Sequence, residues 1–300
     1  MTRFFSFLYS LVFVPIVFVM FSCDNSLEDD KRFAEEKKIE SYIAAKKWKY
    51  TKSQGVYHIV IEPSYGYEVN IGDTVKFWFK GYTPETPPLV FDTNIKSEAI
   101  TASLDTNIRS FEPFSAIAGK TDLVTGLERG LLSTRLNQKS TIIFTSDLGF
   151  KSQIIGPLSA WSPLAYDIQI IYVNGKGIQA EKELLSTLSL SGYNQFNSGL
   201  YFKTLVNNTA VFPSSSSIVY GWYKCTLPDG TLVEEVTTEN KEIDLADNIL
   251  GALKVGFTLI SEGGRAEFVA PSPMCFGKKG NTVVAPYQPL VFSVRLDSIK

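Results

Sequence analysis

The sequence predicts an α+β protein made of two tandem copies of one strand-rich domain, and three observations predict it. Runs that alternate apolar and polar residues with period two recur along the chain, as in Leu290-Val291-Phe292-Ser293-Val294-Arg295-Leu296. This is the pattern of half-buried strands. Helical spacing inside these strand-rich parts is confined to short stretches, such as LVTGLERGLLSTRL, where Leu127, Leu131 and Leu132 share a face. The third observation is that the order of patterns in the first half begins again in the second.

The repeat is visible in matched positions. Gly199-Leu200-Tyr201 lies 144 residues after Gly55-Val56-Tyr57, and Val233-Glu234 lies 142 residues after Phe91-Asp92. Further on, Gly256 follows Gly130 by 126 residues, and Phe292 follows Tyr166 by the same 126. The offset therefore drops by 16 within one polar loop, so the first copy has a longer flap there. Repetition at domain scale with one length change in a loop indicates a duplicated fold. Three hundred residues give room for two such domains.

Taken in order, the chain opens with Arg3 and an almost unbroken apolar run from Phe4 to Met20, then Phe21-Ser22-Cys23. A basic start, an apolar centre and a small residue before cysteine resemble a bacterial lipoprotein signal. Residues 1–22 are expected as the signal peptide, with Cys23 as the lipid anchor on a membrane. The alternative is an uncleaved helix, because the run approaches spanning length. At about 0.8 kcal/mol per buried methylene, two or three acyl chains anchor a protein stably. Residues 23–49 are charged and helix-favouring, with Phe33, Ile39, Ile43 and Trp48 only loosely at helical spacing. They are expected to be a polar spacer ending in an amphipathic helix, with a solvated face.

The first domain, 50–175, begins with the strand GVYHIVIE and the alternating VKFWFKG, followed by LVFDTN. Residues 93–121 read as a polar flap. The helix LVTGLERGLLSTRL and strands near 140–147 and 164–173 complete this copy. A linker helix, 176–198, leads to the second domain, 199–300. There Pro228-Asp229-Gly230 separates two strand patterns as a hairpin turn, since proline presets φ and glycine accepts a positive φ. Asp247 to Gly256 is the expected helix, and 265–270 and 289–299 are the closing strands.

Composition excludes several classes of function. With 29 basic against 31 acidic residues, no electrostatic footprint for nucleic acid exists. A single histidine, His58, leaves no basis for a His-dependent triad or a multi-His metal site. Three cysteines form no metal-ligand cluster. Cys225 and Cys275 can either pair or remain free thiols. No metal or other cofactor is expected.

Two stretches carry a family resemblance. GDTVKFWFKG…VFDTN resembles the opening of an FKBP-type peptidyl-prolyl cis-trans isomerase domain. Phe276-Gly277, the Gly-Lys-Asn loop, Pro286, Pro289 and the strand LVFSVRL resemble its end. The resemblance implies that each copy is a curled antiparallel sheet wrapped around one short helix. It also implies an aromatic hollow for a prolyl ring. In the second copy Tyr223 matches the family's strand tyrosine, Phe292 its terminal-strand phenylalanine, and Phe276 stands for its loop tyrosine. Leu250 and Val284 match wall positions, Val233-Glu234 stands for Phe-Asp, and Leu253 replaces the floor tryptophan. In the first copy Phe91-Asp92 is intact, and Val124 and Tyr166 match the wall. Phe79 and Phe150 there lack phenol hydroxyls, and Leu127 replaces the tryptophan.

The activity so implied is isomerisation of X-Pro bonds in exported proteins, whose proline-containing segments are the expected partners. The bond turns slowly because amide resonance sets a barrier of about 18–20 kcal/mol. A water-poor aromatic hollow favours the twisted, less dipolar amide, and each 1.4 kcal/mol or so gained gives about tenfold in rate. The altered positions also imply two alternatives: a peptide-binding or assembly lipoprotein that has lost catalysis, and a chaperone gripping chains with its long flap.

Overall fold

The computed structural model describes residues 25–300 apart from 121–122 and 209–210, so the apolar run 1–22 and Cys23 lie outside the described residues. Helix α1 (Asn25–Ala45) precedes a hairpin of β1 (Thr51–Ser53) and β2 (Val56–Glu62). Gln54 and Gly55 at its tip have φ of 50° and 80°, the paired positive values of the turn whose twist suits a two-residue hairpin. Then come β3 (Thr74–Tyr82), β4 (Val90–Thr93), α2 (Lys96–Thr101), β5 (Phe114–Ile117), α3 (Thr125–Leu131), β6 (Lys139–Phe144) and β7 (Leu164–Asn174). The strands form one antiparallel sheet in the order β1-β2-β6-β7-β3-β4, and β5 adds to β3.

Helix α4 (Lys176–Thr187) opens the second unit, followed by β8 (Asn194–Gln195), β9 (Tyr201–Val206), β10 (Ile218–Thr226) and β11 (Leu232–Asp244). Then α5 (Gly251–Thr258), β12 (Arg265–Ala270) and β13 (Leu290–Ile299) complete it. Its sheet order is β11-β10-β13-β12-β9-β8. From the other edge this is the first order again, with β8, β9, β12, β13, β10 and β11 standing for β1, β2, β6, β7, β3 and β4. The duplication inferred from offsets is thus present in the topology, and the architecture is α+β with two tandem domains.

In each domain the short helix lies close against the inner face of the sheet, and glycine permits the approach. A Cβ on Gly130 would sit 2.4 Å from Ile142 Cγ2, and one on Gly256 would sit 2.4 Å from Phe268 Cζ. Each domain has its own apolar core, around Phe77, Phe144 and Tyr166 in the first and around Phe268 and Phe292 in the second. The hairpin at Pro228–Gly230 forms as expected, joining β10 to β11 with Gly230 at φ 89°.

Three expectations are corrected. The stretch expected as a solvated spacer packs onto the first domain: Ile39 and Ile43 of α1 are buried on the outer face of the sheet with Tyr57, Ile59, Ile143 and Ala165. Two isoleucines one turn apart suffice to bury a helix whose other faces are charged. The flap 93–121 contains α2 and β5, whose buried residues Ala99 and Ala116 are too small to mark a hydrophobic period. The helix expected from Asp247 starts later, because Leu250 is extended (φ −56°, ψ 136°) and Asp247 closes a turn onto Asp244. Among the described residues no helix is long and apolar enough to cross a membrane.

Candidate functional site

In the first domain, β3 supplies Phe79, β4 supplies Phe91 and Asp92, and β7 supplies Tyr166. The start of α3 supplies Val124 and Leu127, and the 3-10 turn Ser146–Leu148 leads to Phe150. The structure brings the apolar members together in one core cluster, with Phe79, Val124 and Phe150 half-buried at its rim. The Phe91 ring meets Tyr166 edge-on at 5.7 Å and Phe150 at 6.3 Å, while Phe79 lies 6.2 Å from Tyr166. Edge-to-face packing of this kind satisfies the ring quadrupoles. Gly81 of β3 makes room for it: a Cβ there would fall 2.8 Å from Phe91 Cζ and 3.0 Å from Tyr166 Cε1.

Asp92 is ion-paired with Arg109, and one of its oxygens accepts the Thr93 N–H at 3.0 Å. Burial, and secondarily the Asp92 charge, pushes the Tyr166 phenol well above its usual value, so it remains a neutral hydroxyl. Two residues missed by sequence reasoning join this site. Phe114 of β5 packs edge-on against Phe79 at 6.3 Å, and Arg109 holds Asp92. They line a cleft of about 440 Å³ with Phe79, Asp92, Asn94 and Ile108. The available signal was the Pro113-Phe114 pair and a lone arginine inside the supposed polar flap.

In the second domain, Tyr223 on β10, Val233 on β11, Leu250 and Leu253 at the start of α5, Phe276, Val284 and Phe292 on β13 all belong to one core cluster. Phe292 and Leu253 are fully buried, whereas Val233, Leu250 and Phe276 are half-buried and form the outer part. Phe292 stacks on Phe268 at 4.8 Å, and Phe202 stacks on Phe268 at 5.9 Å. Glu234 is exposed, and its carboxylate accepts the Tyr223 hydroxyl at 2.8 Å. Burial, then Glu234, raises the Tyr223 phenol.

The loop after Phe276 is compact. Asn281 Oδ1 accepts the N–H groups of Val283 and Val284 at 2.8 and 2.6 Å, and the Tyr287 N–H bonds the Gly277 carbonyl at 3.0 Å. It also touches the first domain. Lys278 Nζ donates to Asn70 Oδ1 at 2.8 Å and pairs with Glu68 at 2.9 Å, while Asn70 Nδ2 donates to the Tyr287 hydroxyl at 3.1 Å.

His58 takes part in neither aromatic set; it is buried on β2, with Nε2 2.9 Å from Ser140 Oγ. Cys225 and Cys275 are free thiols, and burial pushes Cys225 up to about 12. Among the described residues no group of three or more His, Cys, Asp or Glu is placed to hold a metal.

Comparison with known proteins matches this arrangement. The family profile for FKBP-type peptidyl-prolyl cis-trans isomerase matches residues 65–171 and 209–297, one segment in each domain. The mouse (Mus musculus) peptidyl-prolyl cis-trans isomerase FKBP10 is 23% identical over 234 residues, covering 76% of this chain and 35% of the relative. The FKBP-type peptidyl-prolyl cis-trans isomerase FkpA of Escherichia coli K12 is 27% identical over 110 residues, 36% of this chain and 41% of the relative. The chain thus spans well under half the length of these curated relatives. The crystal structure of FkpA from Escherichia coli superposes on 41% of this chain, and 57% of that one, at 25% identity and a TM-score of 0.36. With both domains matched by one profile over more than half its length, the chain belongs to the FKBP-type peptidyl-prolyl cis-trans isomerase family.

Proposed function

We propose that this protein isomerises X-Pro bonds, with the hollow of the second domain as the more competent site. The observation that supports this reading is the gathering of Tyr223, Leu253, Phe276, Val284 and Phe292 where the curled sheet meets α5. A prolyl ring entering between the half-buried Val233, Leu250 and Phe276 rests above the buried Phe292 and Leu253. Its carbonyl loses hydrogen-bonding water there, and the planar amide loses part of its advantage over the twisted one. The chemistry needs no nucleophile or proton relay. Substrate contact is assigned to Tyr223 and Phe276, with the fully buried Phe292 supporting them from beneath, and Tyr223 reaches the substrate with its hydroxyl oriented by Glu234. In the first domain Phe79, Phe91 and Tyr166 play the corresponding parts, with Phe114 closing the side.

The test is a proline-limited peptide assay on the full chain. Phe276→Ala, a change at the rim, is expected to remove most of the activity, whereas Phe150→Ala removes the smaller share. Equal activity in wild type, Phe276→Ala and the double variant overturns the reading. A second reading, a peptide-binding protein without catalysis, is favoured by Phe150 and Phe276, which lack the hydroxyl of the family's loop tyrosine. Peptide binding without turnover in wild type selects it.

Action on exported proteins rests on the lipoprotein-like segment ending at Cys23. A Cys23→Ala form that still takes up tagged fatty acid overturns that part.

A further inference from the structure

Two buried carboxylates take part in none of the contacts described so far. Glu35 of α1 accepts the Ser146 backbone N–H at 2.6 Å and the Ser146 hydroxyl at 2.7 Å. Glu181 of α4 accepts the Ser272 N–H at 2.5 Å and the Ser272 hydroxyl at 2.7 Å. The two residues are 5% and 1% exposed. Taking a carboxylate out of water costs several kcal/mol, offset here by short charge-assisted bonds. An apolar side chain would attach the helix without that cost, as Ile39 and Ile43 already attach α1.

The serines explain what the carboxylates hold. Each opens a 3-10 turn, Ser146–Leu148 or Ser272–Met274, and the loop aromatic of the hollow follows four residues after it. The Ser146 carbonyl accepts the N–H groups of Gly149 and Lys151, the residues on either side of Phe150. The Ser272 carbonyl accepts those of Cys275 and Gly277, on either side of Phe276. The residue before each aromatic has nearly the same backbone angles, φ −113° and ψ −124° at Gly149, φ −120° and ψ −110° at Cys275. One serine therefore fixes each aromatic from both sides, and one carboxylate fixes that serine.

We propose that Glu35 and Glu181 are positioning residues for the two hollows, each holding, from the helix in front of its domain, the serine on which the loop aromatic hangs. The Tyr67 phenol of the first domain lies near the same carboxylate, and burial, then the Glu181 charge, raises it. The link to catalysis rests on the function proposed above; the link to loop order does not.

The experiment is hydrogen exchange of the full chain, read by mass spectrometry on peptides spanning 144–152 and 270–288, together with the peptide assay. Glu181→Ala is expected to speed exchange at 275–278 by about tenfold to a hundredfold, the worth of lost charged hydrogen bonds, while 144–152 stays unchanged. Glu35→Ala gives the mirror result. Glu181→Gln, which keeps one acceptor, restores part of the protection. In the assay KM rises for Glu181→Ala with kcat less affected, since the aromatic is displaced and not removed. If Glu181→Ala does not fold, Ser272→Ala replaces it: it removes one bond only and speeds exchange at 275–278 by several-fold. Unchanged exchange there in the folded variant overturns the proposal, whether or not wild type shows isomerase activity. Faster exchange in the variant, where wild type shows no isomerase activity, leaves the positioning role standing and removes only the isomerase reading.

Discussion

Replacing Gly256 with alanine sets two effects of opposite sign against each other. In a helix free of neighbours the change stabilises by about 1 kcal/mol, because alanine loses less backbone freedom on folding. Here α5 lies against β12, and the new Cβ falls 2.4 Å from Phe268 Cζ and 2.5 Å from Cε1. Phe268 is fully buried and stacked against Phe202 at 5.9 Å and Phe292 at 4.8 Å, so its ring has no direction of retreat. Overpacking of a tight core costs about 1–3 kcal/mol, and a ring pinned on two sides takes the upper part of that range. The net expectation is a loss of about 1–2 kcal/mol, with a weaker grip on prolyl peptides because the strain passes into Phe292. Urea unfolding checks it, as a lower midpoint at constant slope for the transition carrying the second domain. Gly130→Ala, against Ile142, acts on the first domain as an internal comparison. A gain of about 1 kcal/mol for Gly256→Ala would show that the close approach of helix to sheet is wrong.

Phe292→Ala removes a fully buried ring and is expected to cost about 3–5 kcal/mol in the same unfolding measurement; a cost under about 1 kcal/mol would mean the ring lines open space. Tyr223→Phe loses its 2.8 Å bond to Glu234, whose exposed carboxylate water resolvates, so stability falls by only about 1 kcal/mol while peptide turnover falls further. Lys278→Ala breaks a half-exposed pair with Glu68 and costs under about 1 kcal/mol; small-angle scattering is expected to show the domains moving more freely. Burial lowers the pKa of His58 from 6.5, so the neutral ring contributes stability that is complete above 6.5 and is lost as pH falls through the depressed value. The sole histidine is therefore expected to titrate with a midpoint below 6.5 by NMR, and His58→Gln to lose less stability than wild type on acidification.

The duplication was legible because it lives in positions that backbone geometry constrains. Gly55 and Gly199 both sit at positive φ, at 80° and 86°, ahead of equivalent strands. Gly130 and Gly256 both lie under strand side chains. Such positions keep their spacing when other residues change, and the matched aromatics on period-two strands followed from them. What stayed hidden is equally physical. The pairing of Asp92 with Arg109 spans a loop, and nothing in the spacing announces a contact closed across the intervening helix α2. Ala99 and Ala116 are buried without looking apolar enough to mark an element.

Helix α1 is the most instructive failure, because its charge run concealed a burial. Glu35 stands among Glu36, Lys37 and Lys38, and Glu181 among Lys182 and Glu183, so composition assigns all of them to solvent. A charge run records what a helix shows to water on most of its faces; a single buried carboxylate inside it leaves no trace in the average. The trace is in the repeat. Ala34-Glu35 and Ala180-Glu181 each precede a chain reversal and a Gly-apolar-Tyr strand, at nearly the same distance in both copies. Two helices that occupy the same place in a duplicated fold, and bury the same acid against the same serine, belong to the repeated unit, and α4 also joins the units, since its Ile178 is buried in the core of the first domain. The unit that was duplicated therefore begins at α1 and again at α4, and each copy carries its own clamp on its own loop.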